Sequence, residues 1–322
     1  MKYINERILS ELGIDWPALL SVVEDVTGLI AEKDIRQPLK PYLRFKDPVN
    51  RIIAMPAYVG GRYDSAGIKW IASFPGNSSR SLKRAHSVIV LNDSDTGVPT
   101  TLINGAAISG IRTAAVSGFV LGRYIAANEL PEVKAGIIGF GPIGQYHLQM
   151  LQACFGDRLK AVSLFDLRGI GEKETRDRYP GVAISICSSW EAVFEQSNVL
   201  ITCTVARERY IDKVPKKGAV YLNVSLRDFK TDFLKSTDLV SVDDWEEVNR
   251  ENTDIERAAL TYGLSREDVL EITDLLDASS LADMSGRSFM FNPMGMAVYD
   301  IAVARYYQEL ALRRNNLIEL ED

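Results

Sequence analysis

The stretch from Lys134 to Gly144, K-A-G-I-I-G-F-G-P-I-G, constrains this chain more than any other. A short apolar run (Ala135, Ile137, Ile138) meets Gly139, Gly141 and Gly144 in the spacing G-x-G-x-x-G. Apolar residues at helical spacing follow at Leu148, Leu151 and Cys154. This order predicts strand, tight turn, helix. The first glycine permits the turn, the second lets a pyrophosphate approach the backbone, and the third lets the helix pack closely on the strand. The helix start, with Pro142 and Ile143, offers unpaired N–H groups and a positive dipole end to phosphate. A second apolar run, Leu159–Phe165, closes on Asp166, about 22 residues beyond Gly144, the separation of the acid that holds a ribose hydroxyl. A carboxylate there repels a 2′-phosphate, so NAD is expected over NADP, with Arg168 the neighbour that keeps NADP open.

From Lys134 to about Val242 the pattern alternates between strand and helix. Strands are expected at 135–139, 160–165, 182–186, 198–203, 219–224 and 239–242. Such alternation predicts an α/β fold, a doubly wound parallel sheet with its ligand at the carboxyl ends of the strands. Residues 1–35 read as helical. Short strand-like runs then follow at Tyr42–Phe45, Arg51–Tyr58, Ala66–Ser73 and Ser87–Asn92, broken by turns such as Gly60-Gly61. Without intervening helices, these runs predict an antiparallel or mixed sheet in a separate α+β domain. Ile108–Leu130 reads as a helix stopped by Pro131. Phe291–Leu317 begins N-P-M-G-M and becomes a helix with Ala297, Ile301, Ala304 and Tyr307 on one face. The expected division is 1–115 with 291–322 as a substrate-binding domain, and 116–290 as the Rossmann domain.

A length of 322 residues suits two domains with proper cores. The net charge of −6 argues against nucleic acid or an anionic membrane as the main partner. Three widely spaced cysteines, Cys154, Cys187 and Cys203, fit neither a disulfide framework nor a zinc site, so no metal is expected and a reducing compartment is. The charged N-terminus lacks a signal-type apolar core, and no apolar run reads as membrane-spanning, which places the chain in the cytoplasm.

Groups suited to proton transfer are few. His147 sits just past the glycine turn and His86 follows Arg84-Ala85; both read as structural. The cations are more telling. Lys40 and Arg44 flank P-Y-L, Lys69 ends G-I-K, Arg84 precedes an apolar strand, and Arg112 opens the helix R-T-A-A. Cations in apolar surroundings are costly unless paired, so a cluster of them implies an anionic ligand. Arginine suits bidentate capture of a carboxylate, and a buried lysine with a lowered pKa can move a proton. In the second domain, Asp228 follows the strand-like run Y-L-N-V-S and is a candidate acid or base; its alternative is to cap a helix over Thr231–Leu234.

Several pieces together resemble the ornithine cyclodeaminase/mu-crystallin family: M-P-A (55–57), G-I-K (67–69), R-T-A-A (112–115), the glycine motif (139–144), T-C-T (202–204), K-T-D-F (230–233) and M-G-M-A-V-Y-D (294–300). They keep their order along nearly the whole chain. Longer stretches, Q-P-L-K-P-Y-L-R (37–44), R-I-I-A-M-P (51–56), V-I-V-L-N-D (88–93) and V-D-D-W (242–245), narrow the resemblance to a branch that oxidises a secondary amine joined to the α-carbon of glutamate. The resemblance implies that Arg44, Lys69 and Arg112 hold substrate carboxylate and that Asp228 assists proton transfer and water attack. It implies that Gly139, Gly141, Pro142, Ile143, Gly144, Asp166, Thr204, Ser225 and Lys230, with Arg84, surround NAD, and that Met294 lines the substrate pocket. It also implies a homodimer formed through the N-terminal domain.

Two departures bear on the substrate. Where an ornithine-specific member carries an acid before Met-Pro, this chain reads Arg51-Ile52-Ile53-Ala54, and Pro293 replaces a small serine ahead of Met294-Gly295. The extra cations Lys40 and Arg84 suit a substrate with several carboxylates instead. The implied reaction is NAD-dependent oxidative cleavage of such an amine to L-2,3-diaminopropionate and 2-oxoglutarate, serving siderophore or peptide-antibiotic synthesis. A cyclodeaminase or ketimine reductase is the alternative on the same fold. A mu-crystallin-like nucleotide-binding protein is the alternative from another class.

Overall fold

The computed structural model describes residues 1–128, 130–282 and 286–321, and not the side chain of Ser78. The chain begins with β1 (Lys2–Ile4), α1 (Glu6–Leu12), α2 (Trp16–Ala31), β2 (Ile35–Arg36) and β3 (Tyr42–Leu43). Next come β4 (Arg51–Val59), β5 (Ser65–Ser73), β6 (Ala85–Asp93), β7 (Pro99–Asn104) and α3 (Gly105–Asn128). Then follow β8 (Val133–Ile138), α4 (Pro142–Phe155), β9 (Leu159–Phe165), α5 (Glu172–Arg178), β10 (Ile184–Ile186), α6 (Trp190–Gln196) and β11 (Val199–Thr202). The remainder is β12 (Val220–Asn223), α7 (Thr231–Lys235), β13 (Leu239–Val242), α8 (Trp245–Val248), α9 (Asp254–Tyr262), β14 (Val269–Glu271), β15 (Phe289–Asn292), α10 (Ala297–Arg313) and β16 (Ile318–Glu319).

Two units result: Met1–Arg112 with the chain from Gly295 onward, and Thr113–Met294. The first is built on a mixed sheet in the order β16-β1-β7-β6-β5-β4-β2, with β3 also on β4. Strands β4, β5 and β6 alternate in burial, as period-2 geometry requires of a sheet with one covered face. The covered side carries Met55, Ala57, Val59, Ile89, Leu91 and Ile103, all buried, and α10 packs against it. Ala54, Trp70 and Val88 lie side by side in register on the other side, and Trp70 and Val88 are each 41% exposed. The helical reading of residues 1–35 is corrected at its start: Lys2–Ile4 pairs parallel to β7 and antiparallel to β16. Three residues are too few to show periodicity, and this strand is held by partners about a hundred and three hundred residues away, with the buried Ile4 beside Ile103.

The second unit is a sheet of eight strands, ordered β10-β9-β8-β11-β12-β15-β13-β14, every neighbouring pair parallel. This is the doubly wound Rossmann arrangement, and its order reverses between β8 and β11. Near-continuous apolar strands such as β11 and β12 are buried on both faces, as helices on either side demand. Two strands were not foreseen: β14 adds at the edge beside β13, and β15 inserts between β12 and β13, which the sequence order alone places side by side. The helix α3 corrects another expectation. It is long and apolar enough to cross a membrane, but most of it is buried within the protein, as in a core helix.

Candidate active site

In the first unit the covered face of β5 carries a lysine where its neighbours are apolar. Lys69 is 1% exposed, and its Nζ donates to Asp300 Oδ2 at 2.6 Å. Arg112, on α3, donates from Nε to Asp300 Oδ1 at 2.9 Å. One carboxylate on the apolar side of α10 thus serves two cations. Lys40, also buried, donates to the carbonyl of Gly295 at 2.8 Å. Gly295 has φ +87°, and a Cβ there would stand 2.7 Å from the Arg112 guanidinium, so glycine is required by both backbone and space. Burial pushes the Lys69 ammonium down to about 7; Asp300 opposes this, while Arg112 and Lys40 add to it. Ser109 Oγ lies 3.5 Å from Nζ. Two buried cations thus share one carboxylate, with a third, Lys40, near enough to act on Lys69, a setting suited to an anionic ligand.

Arg44 and Arg84 are placed differently. Arg44 is exposed just past β3, with its guanidinium 5.0 Å from the centre of the Tyr42 ring, and the Arg51 guanidinium is 5.6 Å from the same ring. Arg84 is exposed at the entry to β6, in the first unit and not in the unit that holds the glycine turn.

In the second unit the glycine turn is built as its spacing requires. A Cβ on Gly144 would stand 2.3 Å from the carbonyl oxygen of Gly139, so this residue sets how closely α4 approaches β8. At Gly141, the N-cap of α4, the nearest atom to a Cβ is Arg168 Nη2 at 3.6 Å, so the backbone there is open to a ligand. No side chain caps the α4 N-terminus, whose first residues are Pro142 and Ile143. Asp166 sits at the end of β9 and accepts from the Phe140 amide at 2.9 Å and the Arg168 amide at 2.9 Å. Burial raises its pKa, but these bonds and the Arg168 guanidinium outweigh it and hold the carboxyl below its ordinary value. Oδ1 also accepts from Arg168 Nε at 3.3 Å, which leaves Oδ2 with a lone pair for a ribose hydroxyl. The residues present therefore fit a dinucleotide. A Gly144→Ala substitution is expected to cost about 1–3 kcal/mol through overpacking and to weaken dinucleotide binding, as thermal unfolding and nucleotide titration would measure.

Asp228 lies buried in the loop after β12, where its carboxylate accepts from the hydroxyls of Thr204 and Ser225. Burial raises its pKa above the ordinary carboxylate value, against the pull of those hydroxyls. It does not cap α7; the N-cap is Lys230, whose exposed ammonium pairs with Asp212 at 3.1 Å. The loop is held by groups the sequence did not single out. Asn223 Oδ1 accepts from the amide of Leu226, a residue at φ +61°. Asp254 Oδ2 accepts from Asn223 Nδ2 at 2.9 Å and from the amides of Asp228 and Phe229 at 3.2 Å. Arg209 neutralises Asp254 through Nε at 2.6 Å. Only Asp300 left a trace in the sequence: an acid three residues after Ala297 on the apolar face of the last helix. Met294 donates its amide to Asp243 at 2.8 Å. His147 is structural, bonded to Ile143 O and Ser117 Oγ, with burial pushing it down to about 4.

The family model described as "Ornithine cyclodeaminase/mu-crystallin family" matches residues 5–315. The chain belongs to that family. Among curated members it is 33% identical over 333 residues to the N-((2S)-2-amino-2-carboxyethyl)-L-glutamate dehydrogenase of Staphylococcus aureus, covering 98% of this chain and 96% of the relative. It is 27% identical to the alanine dehydrogenase of Archaeoglobus fulgidus, over 97% of this chain and 95% of that one. Among solved structures, a Thermococcus litoralis Δ1-pyrroline-2-carboxylate reductase in complex with NADH and L-proline superposes with a TM-score of 0.87 at 22% identity, covering 99% and 100% of the two chains. That likeness establishes the ornithine cyclodeaminase fold over the whole chain.

Proposed function

We propose that this member of the ornithine cyclodeaminase/mu-crystallin family is an NAD-dependent oxidoreductase that cleaves N-(2-amino-2-carboxyethyl)-L-glutamate to L-2,3-diaminopropionate and 2-oxoglutarate. The observation that carries the reading is the buried Lys69–Asp300–Arg112 cluster of the first unit, in which the Arg112 Nη groups are left to take a carboxylate of the substrate. The near-full-length likeness to the Staphylococcus aureus dehydrogenase supports it. NAD is assigned to the glycine turn and Asp166 of the second unit, with Thr204, Ser225 and Lys230 as further contacts.

NAD, when bound, supplies the hydride acceptor for the glutamate α-carbon. Arg112, with Arg44, holds the substrate carboxylates, and Lys40 favours a further one. The amine of Lys69, near 7, is divided between its two protonation states at neutral pH and accepts the proton of the substrate nitrogen as the imine forms. Asp228 then takes a proton from the water that attacks the imine carbon. The resulting carbinolamine collapses with return of a proton to the departing amine. Fixing the carboxylates contributes on the order of 7–11 kcal/mol through positioning, more than one acid–base group supplies.

Incubation with NAD and the adduct tests the reading directly: NADH, 2-oxoglutarate and diaminopropionate should appear in equal amounts. Oxidation of alanine with release of ammonia, and no reaction of the adduct, would favour the second reading raised by the Archaeoglobus fulgidus relative. Binding of the dinucleotide without turnover of any amino acid would favour a mu-crystallin-like binder. A homodimer is proposed through the open side of the first sheet, where Ala54, Trp70 and Val88 form an apolar strip. Its solution mass should equal two chains.

A further inference from the structure

Asp300 is a buried carboxylate that holds both Lys69 and Arg112, and the proposed reaction assigns it no role. It lies on α10, while its partners lie on β5 and α3, 231 and 188 residues away in sequence. Its two oxygens are divided: Oδ2 takes Lys69 Nζ at 2.6 Å and Oδ1 takes Arg112 Nε at 2.9 Å. Because Arg112 is held through Nε, both of its Nη groups keep their donors; neither bonds to protein among the described residues. That is the edge a carboxylate needs for a two-bond contact.

We propose that Asp300 is a positioning residue that acts through its two partners, fixing Arg112 end-on for the substrate carboxylate and stabilising the ammonium that Lys69 becomes when it takes the substrate proton. The inference rests on the proposed oxidation and deepens it. In that step the substrate N–H bond breaks and its proton forms a new N–H bond on Lys69. The hydride leaves the α-carbon for the nicotinamide, and the nitrogen lone pair forms the C=N bond. The only charge created on the protein is the Lys69 ammonium, and it forms 2.6 Å from a carboxylate. The charged groups facing Lys69 are Asp300 from α10, Arg112 from α3 and Lys40 from the segment before β3, with the Ser109 hydroxyl beside them. Among these described groups Asp300 is the anion. Without it, burial and two cations all oppose protonation of Lys69.

The test compares wild type, Asp300→Asn and Asp300→Glu in the full-length protein with NAD and the adduct, recording kcat and KM across pH. In Asp300→Asn, kcat should fall about 10²-fold, the scale of one acid–base group, and the acidic limb of the profile should move down by a pH unit or more. Asp300→Glu, which keeps the charge, should return the limb toward its original position. The double variant Asp300→Asn with Lys69→Met guards against a folding defect: it removes one positive and one negative charge, should fold, and should show no such limb. An unshifted limb in a folded Asp300→Asn enzyme, or a loss confined to thermal stability, overturns the role assigned to Asp300. Absence of turnover in wild type is a different result and overturns the reaction itself.

Discussion

Lys69→Met is expected to lower kcat/KM for the adduct by at least about 10³-fold, because it removes both an acid–base group and a charge-assisted contact to substrate. Dinucleotide affinity, followed by quenching of tryptophan fluorescence, should change less than about threefold, since the glycine turn and Asp166 belong to the other unit. The same variant has a signature in stability. Lys69 holds its proton less tightly in the folded protein, at about 7, than in the unfolded chain, near 10.5. Over that window the unfolded state binds more protons, so this residue makes stability rise with pH from about 7 to about 10.5. Lys69→Met should flatten that rise, and its stability relative to wild type should be most favourable at and below neutral pH. A variant with full turnover, or one that loses NAD affinity in step with activity, would contradict the role assigned here.

The second large effect is expected at Asp228. Asp228→Asn preserves shape and still accepts one hydroxyl, but it cannot take a proton from water. Turnover should fall by about 10²–10⁴-fold, with NAD affinity nearly unchanged. Because burial raises this carboxyl above its ordinary value, wild-type kcat/KM should decline on acidification at a pH higher than an exposed aspartate would give. The substitution should remove the contribution of Asp228 to that decline and leave the one set by Lys69. Together the two variants separate the residue that takes the amine proton from the one that activates water: imine reduction run in reverse, supplied with preformed imine, should depend on Lys69 more than on Asp228.

Much of the second unit is readable along the chain. The glycine spacing, the acid at Asp166 and the strands from β8 to β13 follow from short-range rules, because a parallel strand buried on both faces must be apolar throughout and a phosphate turn must be glycine-rich. The strand β15 escaped that reading. Its four residues, F-M-F-N, carry no period, and its place between β12 and β13 is set by contacts across the sheet. The cations divide along the same line. Lys40, Lys69 and Arg112 are buried, whereas Arg44 and Arg84, drawn from equally apolar stretches, are exposed. Chain neighbours do not decide which is buried; for Lys69 it is the covered face of β5 beneath α10, and for Arg112 the start of α3 beside Asp300.

The sequence by itself determined that this chain contains a glycine-rich strand–turn–helix with an acid beyond it, and that a second, mixed sheet precedes it; it also singled out lysines and arginines, more than histidines, as the groups proposed to act. These are local properties, governed by backbone conformation, periodicity and composition over some ten to thirty residues. Tertiary structure alone decided that one aspartate on the last helix joins Lys69 to Arg112, and that Asp254 and Asn223 hold the loop bearing Asp228. The reason is physical: a buried charge is tolerated only where a partner is brought to it, and partners separated by hundreds of residues become neighbours only when the sheets form.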